Sequence, residues 1–358
     1  MAVAFGLATL SIAKSGDLDA SFGAGTGKVL LPIGAAVDHV LASALQADGK
    51  IVVSGYCYPA ISSYVRLLCV VRLLNNGSLD PSFAAAGVFL GDFSQCRHGG
   101  SLAILPDQSI VVGGTVFSTS TGDQVCAMKL TPQGSIDPLF GASGVSAINF
   151  PAIRTLSTFS RVLAVNDGKL LFATSCYVNY SSSPVSNFRY GFCALRLNSD
   201  GSLDTSYGSA GLVISYDSSV NAYFSDVVVD EGGALIVGSC VSSLNRESMC
   251  AMRFDTTGAV AASFGAAGRA TFNLGAYAKT AASSVARLAD QQYLLVGLCG
   301  ATMLYKGCVV RLTKDGAFDP GFGGSGAVVD SSNNAMSNFS AIRVIDTGTY
   351  ALAGRCGV

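Results

Sequence analysis

The sequence predicts an all-β chain that forms one domain over residues 1–358, and three observations predict it. A seven-residue turn phrase is written six times: GDLDASF from Gly16, GSLDPSF from Gly77, GSIDPLF from Gly134, GSLDTSY from Gly201, GAVAASF from Gly258 and GAFDPGF from Gly316. The intervals of 61, 57, 67, 57 and 58 residues mark a repeat architecture. A second phrase stands between the turns: ALQADGKIVVSGYC (44–57), AILPDQSIVVGGTV (103–116), LAVNDGKLLFATSC (163–176) and VVVDEGGALIVGSC (227–240). Short β-rich runs on either side of Asp-Gly or a related pair signal a tight hairpin. Half of the residues are hydrophobic and 13% are charged, which fits many short buried strands rather than helices or disorder.

Each unit then divides into four strands. In the second they are expected at about 101–106, 109–116, 126–131 and 144–149, with the GSIDPLFGASG loop between the last two. Four antiparallel strands per repeat without helical periodicity predict a β-propeller, here six-bladed. The sixth blade is expected to be shared by the ends of the chain, 1–33 supplying strands at 8–13 and 27–33 and 335–358 supplying strands at 340–346 and 349–356. Such a shared blade removes open sheet edges.

The start, MAVAFGLATLSIA, has the apolarity of a signal-peptide core, but no basic residue precedes it and Lys14 comes only afterwards. ATLSIAKSG (8–16) instead fits the third-strand phrase seen in CVVRLLNNG (69–77), CALRLNSDG (193–201), CAMRFDTTG (250–258) and CVVRLTKDG (308–316) without a gap. Residues 8–13 are therefore expected to be a structural strand, with a cleaved targeting segment as the competing reading.

ALQADGKIVV followed by CVVRLLNNGSLDPSF resembles the delta-60 repeat family, bacterial extracellular repeats regarded as β-propeller units. The similarity runs through almost the whole chain. It implies a fold and a surface or secreted setting, and brings no activity and no catalytic residues. The fifth turn departs from the pattern: Ala261 stands where the others have Asp19, Asp80, Asp137, Asp204 and Asp319.

A basic residue lies eight positions before the acid in Arg72/Asp80, Lys129/Asp137, Arg196/Asp204 and Arg311/Asp319. These read as Asp-capped turns with an exposed ion pair of about 0–1 kcal/mol; the competing reading is a ring of charged ligand sites. Phe22, Phe83, Phe140, Tyr207, Phe264 and Phe322 are expected to anchor the loop in the core.

Of the eleven cysteines, Cys57/Cys69, Cys176/Cys193, Cys240/Cys250 and Cys299/Cys308 flank the loop between the second and third strands of one blade, within disulfide reach. Val116 takes the partner position of Cys126. Cys96 lies in the connection that emerges on the same face, so Cys96–Cys126 is expected. Cys356 is left as a free thiol, its partner position on the closing strand being Ala8. Five such pairs imply an oxidising compartment: secreted, periplasmic or cell-surface.

A net charge of −1 offers no basic field for nucleic acid, and no run is apolar enough for membrane insertion. No GxSxG elbow, HExxH or P-loop occurs, and Asp226 and Glu231, near inner strands, form no evident acid pair. His39 and His98 take equivalent places in adjacent blades, nine residues before Asp48 and Asp107. With Asp38 or Asp92 they are the only weak metal arrangement, against a reading as polar loop residues. No cofactor is expected. The loops at 58–68, 177–192 and 300–307 vary most, and Tyr58, Tyr64, Tyr177, Tyr180, Tyr190 and Tyr305 in them are the candidate ligand-face residues. The expected role is a non-enzymatic binding or structural module for a protein or glycan ligand. Self-assembly with copies of itself into a surface layer or filament, and a carbohydrate-active enzyme using the central pocket, are the alternatives.

Overall fold

A computed structural model describes residues 17–34, 38–58, 66–92, 96–118, 122–148, 153–155, 161–179, 188–217, 219–274, 279–301, 304–331, 337–346 and 348–356. The chain is all-β and propeller-like. The first sheet runs β1 (His39–Leu45), β2 (Ile51–Cys57), β3 (Leu67–Leu73), β4 (Val88–Leu90), each antiparallel to the next. The second repeats the order with β5 (Arg97–Ile104), β6 (Ile110–Ser118), β7 (Gly122–Leu130) and β8 (Val145–Ile148). In the third, β9 (Ile153–Thr155) and β10 (Arg161–Ala164) both pair with β11 (Leu170–Asn179), followed by β12 (Phe188–Leu197) and β13 (Leu212–Ser215).

An eight-stranded sheet follows, made of β14 (Val220–Asp230), β15 (Gly233–Ser242), β16 (Glu247–Phe254), β17 (Arg269–Phe272), β18 (Lys279–Arg287), β19 (Tyr293–Ala301), β20 (Leu304–Leu312) and β21 (Ala327–Val329). Only the parallel pair Glu247/Lys279 joins β16 to β18, so two antiparallel units stand side by side. The last sheet is β22 (Ser337–Asp346) with β23 (Thr349–Cys356).

The apolar strands bury their side chains between neighbouring sheets. Val52, Leu68 and Val70 of the first sheet pack on Ile110, Val112 and Met128 of the second, and Ala251 and Met249 of β16 on Leu295 and Val310 of the next unit.

The repeated turn explains the period. Each copy leaves its own sheet and clasps the next: the amide after the aromatic residue donates to a carbonyl beside the next copy's glycine, in Gly23 to Asn76, Ala84 to Gln133, Gly141 to Asp200, Gly208 to Thr257 and Gly265 to Asp315, at 2.7–2.9 Å. The aromatic ring fills the space left by that glycine. A Cβ on Gly201, itself at φ +84°, would lie 3.0 Å from the Phe140 ring and 2.9 Å from the Gly141 nitrogen. Phe83, Phe140, Tyr207 and Phe264 are almost fully buried, and each such ring is worth about 2–3 kcal/mol in burial.

Two expectations need correction. The Arg72/Asp80 pair is not exposed. Its Nε–Oδ2 distance is 2.8 Å with side chains 6% and 4% accessible, and Arg72 Nη1 also donates to the Pro132 carbonyl of the next sheet at 2.5 Å. The guanidinium lies over the Phe83 ring, which leaves water no room. The ring of sheets is also not closed among the described residues. Residues 27–33 carry no strand, the expected strand at 8–13 lies outside the described residues, and the last sheet has two strands. Val40 and Leu45 on β1 and Ile345 on β22 are correspondingly exposed.

Candidate functional site

The inner strands of five units end together around an axial cavity, open to solvent, of about 950 Å³. Gln46 contributes from the first hairpin, Gln108 from the second, Lys169 from the third, Asp230 and Glu231 from the fourth and Arg287 from the end of β18, while Tyr207 enters from the clasp of the third unit.

One carboxylate organises the fourth side. Asp230 Oδ2 accepts from Arg253 Nη1 at 2.9 Å and from the Tyr293 hydroxyl at 2.6 Å, and Oδ1 from Arg253 Nη2 and the Gly232 amide. Burial pushes the Asp230 carboxyl up, but Arg253 and Tyr293 outweigh it and hold it below the usual carboxylate range. Tyr293 is raised by burial and by its bond to Asp230. Across the cavity, Asp204 Oδ2 accepts from Lys169 Nζ at 2.9 Å and Arg196 Nε at 2.6 Å. Burial pushes the Tyr207 hydroxyl up to about 12, with Arg196 opposing.

Among the described residues, the buried side-chain polar atoms without a hydrogen-bond partner are Gln46 Oε1, Gln108 Oε1, Tyr207 Oη and Arg287 Nε. All four belong to residues lining this cavity. The amide orientation of Gln46 is set by Nε2 donating to the Gln108 carbonyl at 3.3 Å, which leaves Oε1 unused. A buried polar group without a partner costs about 1–3 kcal/mol, so four of them beside one cavity are to be met by water or by a polar ligand. Two amide oxygens accept only, the guanidinium nitrogen donates only, and the tyrosine hydroxyl does both. Hydroxyl groups satisfy such a mixed set; a purely anionic or purely cationic ligand satisfies only part of it.

None of these four was singled out from the sequence as a ligand residue. The available signal is polarity where the repeat is apolar. Arg287/Tyr293 is the pair that opens the hairpin register, where earlier units have Leu45/Ile51, Ile104/Ile110 and Ala164/Leu170. Tyr207 likewise replaces phenylalanine.

Of the residues the sequence did single out, Tyr58, Tyr190 and Tyr305 lie at the opposite end of the sheets in three separate clusters. Tyr58 accepts from Arg66 Nε at 2.9 Å, Tyr190 packs on Tyr223 with ring centroids 4.7 Å apart, and Tyr305 lies under Lys279 Nζ at 5.6 Å. Tyr64 and Tyr180 lie outside the described residues; Tyr177, His98 and Cys356 are described in backbone only, in β11, β5 and β23. His39 stacks on Tyr56 at 4.5 Å, and Asp38 accepts from the Ile33 and Gly34 amides, so neither is arranged as a ligand. No cluster of three metal-ligating side chains occurs among the described residues. Asp226 ties three inner strands together, bonding Ser284 Oγ at 2.8 Å and facing Arg161 Nε at 3.5 Å.

Disulfides join Cys57–Cys69, Cys96–Cys126, Cys176–Cys193, Cys240–Cys250 and Cys299–Cys308. They belong to an oxidising, extracellular setting. No helix among the described residues is long and apolar enough to cross a membrane.

Residues 46–83, 105–140 and 166–207 match the family described as a domain of unknown function (DUF5122) β-propeller, which supports a β-propeller repeat. A comparison with curated proteins found no match. Among solved structures, the polysaccharide lyase Uly1 is 12% identical over 89% of this chain and 74% of its own, with a TM-score of 0.50. A periplasmic gluconolactonase of Pseudomonas aeruginosa, PpgL, is 13% identical over 86% and 76%, at 0.45. A Dyadobacter fermentans protein of unknown function is 14% identical over 88% and 94%, at 0.47. These identities carry the fold alone. The expectation of a role without catalysis does not stand: the polysaccharide lyase Uly1 shares this scaffold, so missing motifs do not exclude an enzyme.

Proposed function

We propose that the chain is a secreted β-propeller whose axial cavity takes a carbohydrate or a comparably hydroxyl-rich ligand. The observation that carries this is the convergence of Gln46 Oε1, Gln108 Oε1, Tyr207 Oη and Arg287 Nε, buried and without hydrogen-bond partners, on one cavity, with Arg287 Nε also 3.8 Å from Asp230 Oδ2. A cavity of about 950 Å³ is of the size that encloses a small ligand. Asp230 is committed to Arg253 and Tyr293, so its role is to hold the wall. Glu231 lies exposed beside it and is the carboxylate placed to meet a ligand from the rim.

The test is thermal stabilisation of the unreduced protein by cellohexaose, xylohexaose and mannohexaose, with release of reducing ends or unsaturated products measured on the same samples. A saturable rise in Tm that Gln108→Ala and Arg287→Ala each reduce at least tenfold in apparent affinity is expected. Rises absent for all three sugars, or untouched by the two variants, would overturn the reading. Product formation would make the cavity catalytic as well.

The finer architecture belongs to the same proposal: delta-60-type repeats in six units, the sixth shared by 1–33 and 335–358, in a periplasmic, secreted or cell-surface setting. It is supported by the turn at 17–22. The Gly23 amide bonds Asn76 and the Phe22 ring meets Gly77, as each later copy meets its own neighbour.

A further inference from the structure

The disulfide-stapled end of the sheets carries a second arrangement that the cavity does not use. His39 on β1, Tyr56 at the end of β2, and Tyr58 and Arg66 beyond it form one cluster at this end of the first sheet. His39 stacks on Tyr56 with centroids 4.5 Å apart and planes 25° apart. Tyr58 meets Tyr56 edge-on at 6.0 Å. The Arg66 guanidinium sits 4.9 Å from the Tyr56 ring centroid and 6.0 Å from that of Tyr58, and its Nε donates to the Tyr58 hydroxyl at 2.9 Å.

Arg66 is exposed, and among the described residues no carboxylate lies within ion-pairing distance of it. The contrast is Lys279, which lies over Tyr305 at the same end of the fold and is neutralised by Glu247 at 2.8 Å. Arg66 is thus held by two rings and one hydrogen bond at its Nε. A guanidinium fixed in this way loses little entropy on binding a planar carboxylate or a sulfate.

We propose that Arg66, positioned by Tyr56 and Tyr58, is an anion-recognition site for an acidic polysaccharide. The side chains around it favour that class over a protein partner. His39 and Arg66 are exposed and polar, Tyr56 is already occupied by two stacking partners, and Val40 is the one large exposed apolar side chain on this end of β1. A protein interface centres on a desolvated apolar anchor; a polyanionic chain needs only repeated charge and hydroxyls. The site stands apart from the axial cavity and does not depend on it.

The test is affinity electrophoresis in gels containing polygalacturonate, alginate or dextran sulfate, with neutral dextran as the control, at about 0.15 M salt. Retardation by at least one polyanion is expected, weakened at least tenfold by Arg66→Ala. Arg66→Lys should recover only part of it, because an ammonium cannot form the two-pronged contact. Arg66→Ala should weaken retardation by the same factor in an Arg287→Ala background, in which the cavity is disabled, and this separates the two sites. Arg66 is exposed, and an unchanged Tm would show that the variants fold. No retardation by any polyanion, equal retardation of wild type and Arg66→Ala, or Arg66-dependent binding of poly-glutamate alone would each overturn the proposal.

Discussion

Arg253 gives Nη1 and Nη2 to the two carboxylate oxygens of Asp230, although its counterparts Arg72, Arg196 and Arg311 bond an aspartate eight residues further on. In the fourth unit that aspartate is Ala261. The acid has moved from the turn to the hairpin. In the first and third units the hairpin supplies a lysine to the turn acid, Lys50 to Asp80 and Lys169 to Asp204. The fourth unit instead takes the acid for its strand arginine from the hairpin and keeps its charge balanced.

Removal of Asp230 leaves Arg253 buried and uncompensated, so Asp230→Ala should cost about 3–5 kcal/mol. Adding Ala261→Asp in that background restores an acid at the ordinary place in the turn. At least half of the lost stability should return in urea titration. A double variant no more stable than the single would show that the two positions are not interchangeable.

The clasp makes a local prediction. Gly134 sits at φ +83°, and a Cβ there would come within 2.7 Å of Phe83 Cε2 and 2.8 Å of the Ala84 nitrogen. Gly134→Ala should destabilise by more than the roughly 1 kcal/mol that a left-handed alanine costs, because the ring and the Ala84 amide must both withdraw. Amide exchange at Ala84 should accelerate while the amides of β2 stay protected. Uniform acceleration throughout the first sheet would mean that the clasp is not a separate unit.

Acid should loosen the same clasps. The Ser206 hydroxyl, against the opposing effect of burial and with help from Lys169 and Arg196, drops the Asp204 carboxyl far below its ordinary 3.8. Asp80 and Asp137 are lowered as well. A carboxyl with a depressed folded-state pKa binds fewer protons folded than unfolded just below its ordinary value. Its stabilisation is complete above about pH 4–5 and drains away as pH falls towards the depressed value. The urea midpoint should be flat from pH 7 to 5 as far as these groups are concerned, and fall below about 4. Asp204→Asn should be less stable at pH 7 and show a shallower fall; parallel curves would count against the assignment.

The repeat, the hairpins and the propeller-like class were legible because each rests on local spacing: a glycine that must adopt positive φ, an aromatic residue six positions later, alternating apolar strands. The disulfide partners were legible because cysteines recur in register. The burial of Arg72 and Asp80 was not, since it is produced by Phe83 and by the Pro132 carbonyl of the neighbouring sheet. The cavity was not legible either, because Gln46, Gln108, Tyr207 and Arg287 are successively 62, 99 and 80 residues apart and only the convergence of the units brings them together. Motifs could not exclude catalysis for the same reason: a site assembled from several units writes no contiguous signature.

Closure of the last sheet can be read from one engineered bond. In the fifth unit Cys308 is the register partner of Gly297, two residues before Cys299, and the two cysteines are bonded. Gly354 and Cys356 repeat the Gly297/Cys299 spacing, and ATLSIAKSG aligns Ala8 with Cys308. If residues 8–13 pair with β23, Ala8→Cys should bond Cys356, remove one free thiol per chain and raise Tm by closing a loop of almost the whole chain, worth up to about 4–5 kcal/mol. Mass analysis under non-reducing conditions separates the outcomes. A monomer without free thiol means the chain closes its own ring; a covalent dimer means the strand is exchanged between copies, which makes self-assembly the use of that edge. Two free thiols in the variant would remove residues 8–13 from the sheet altogether.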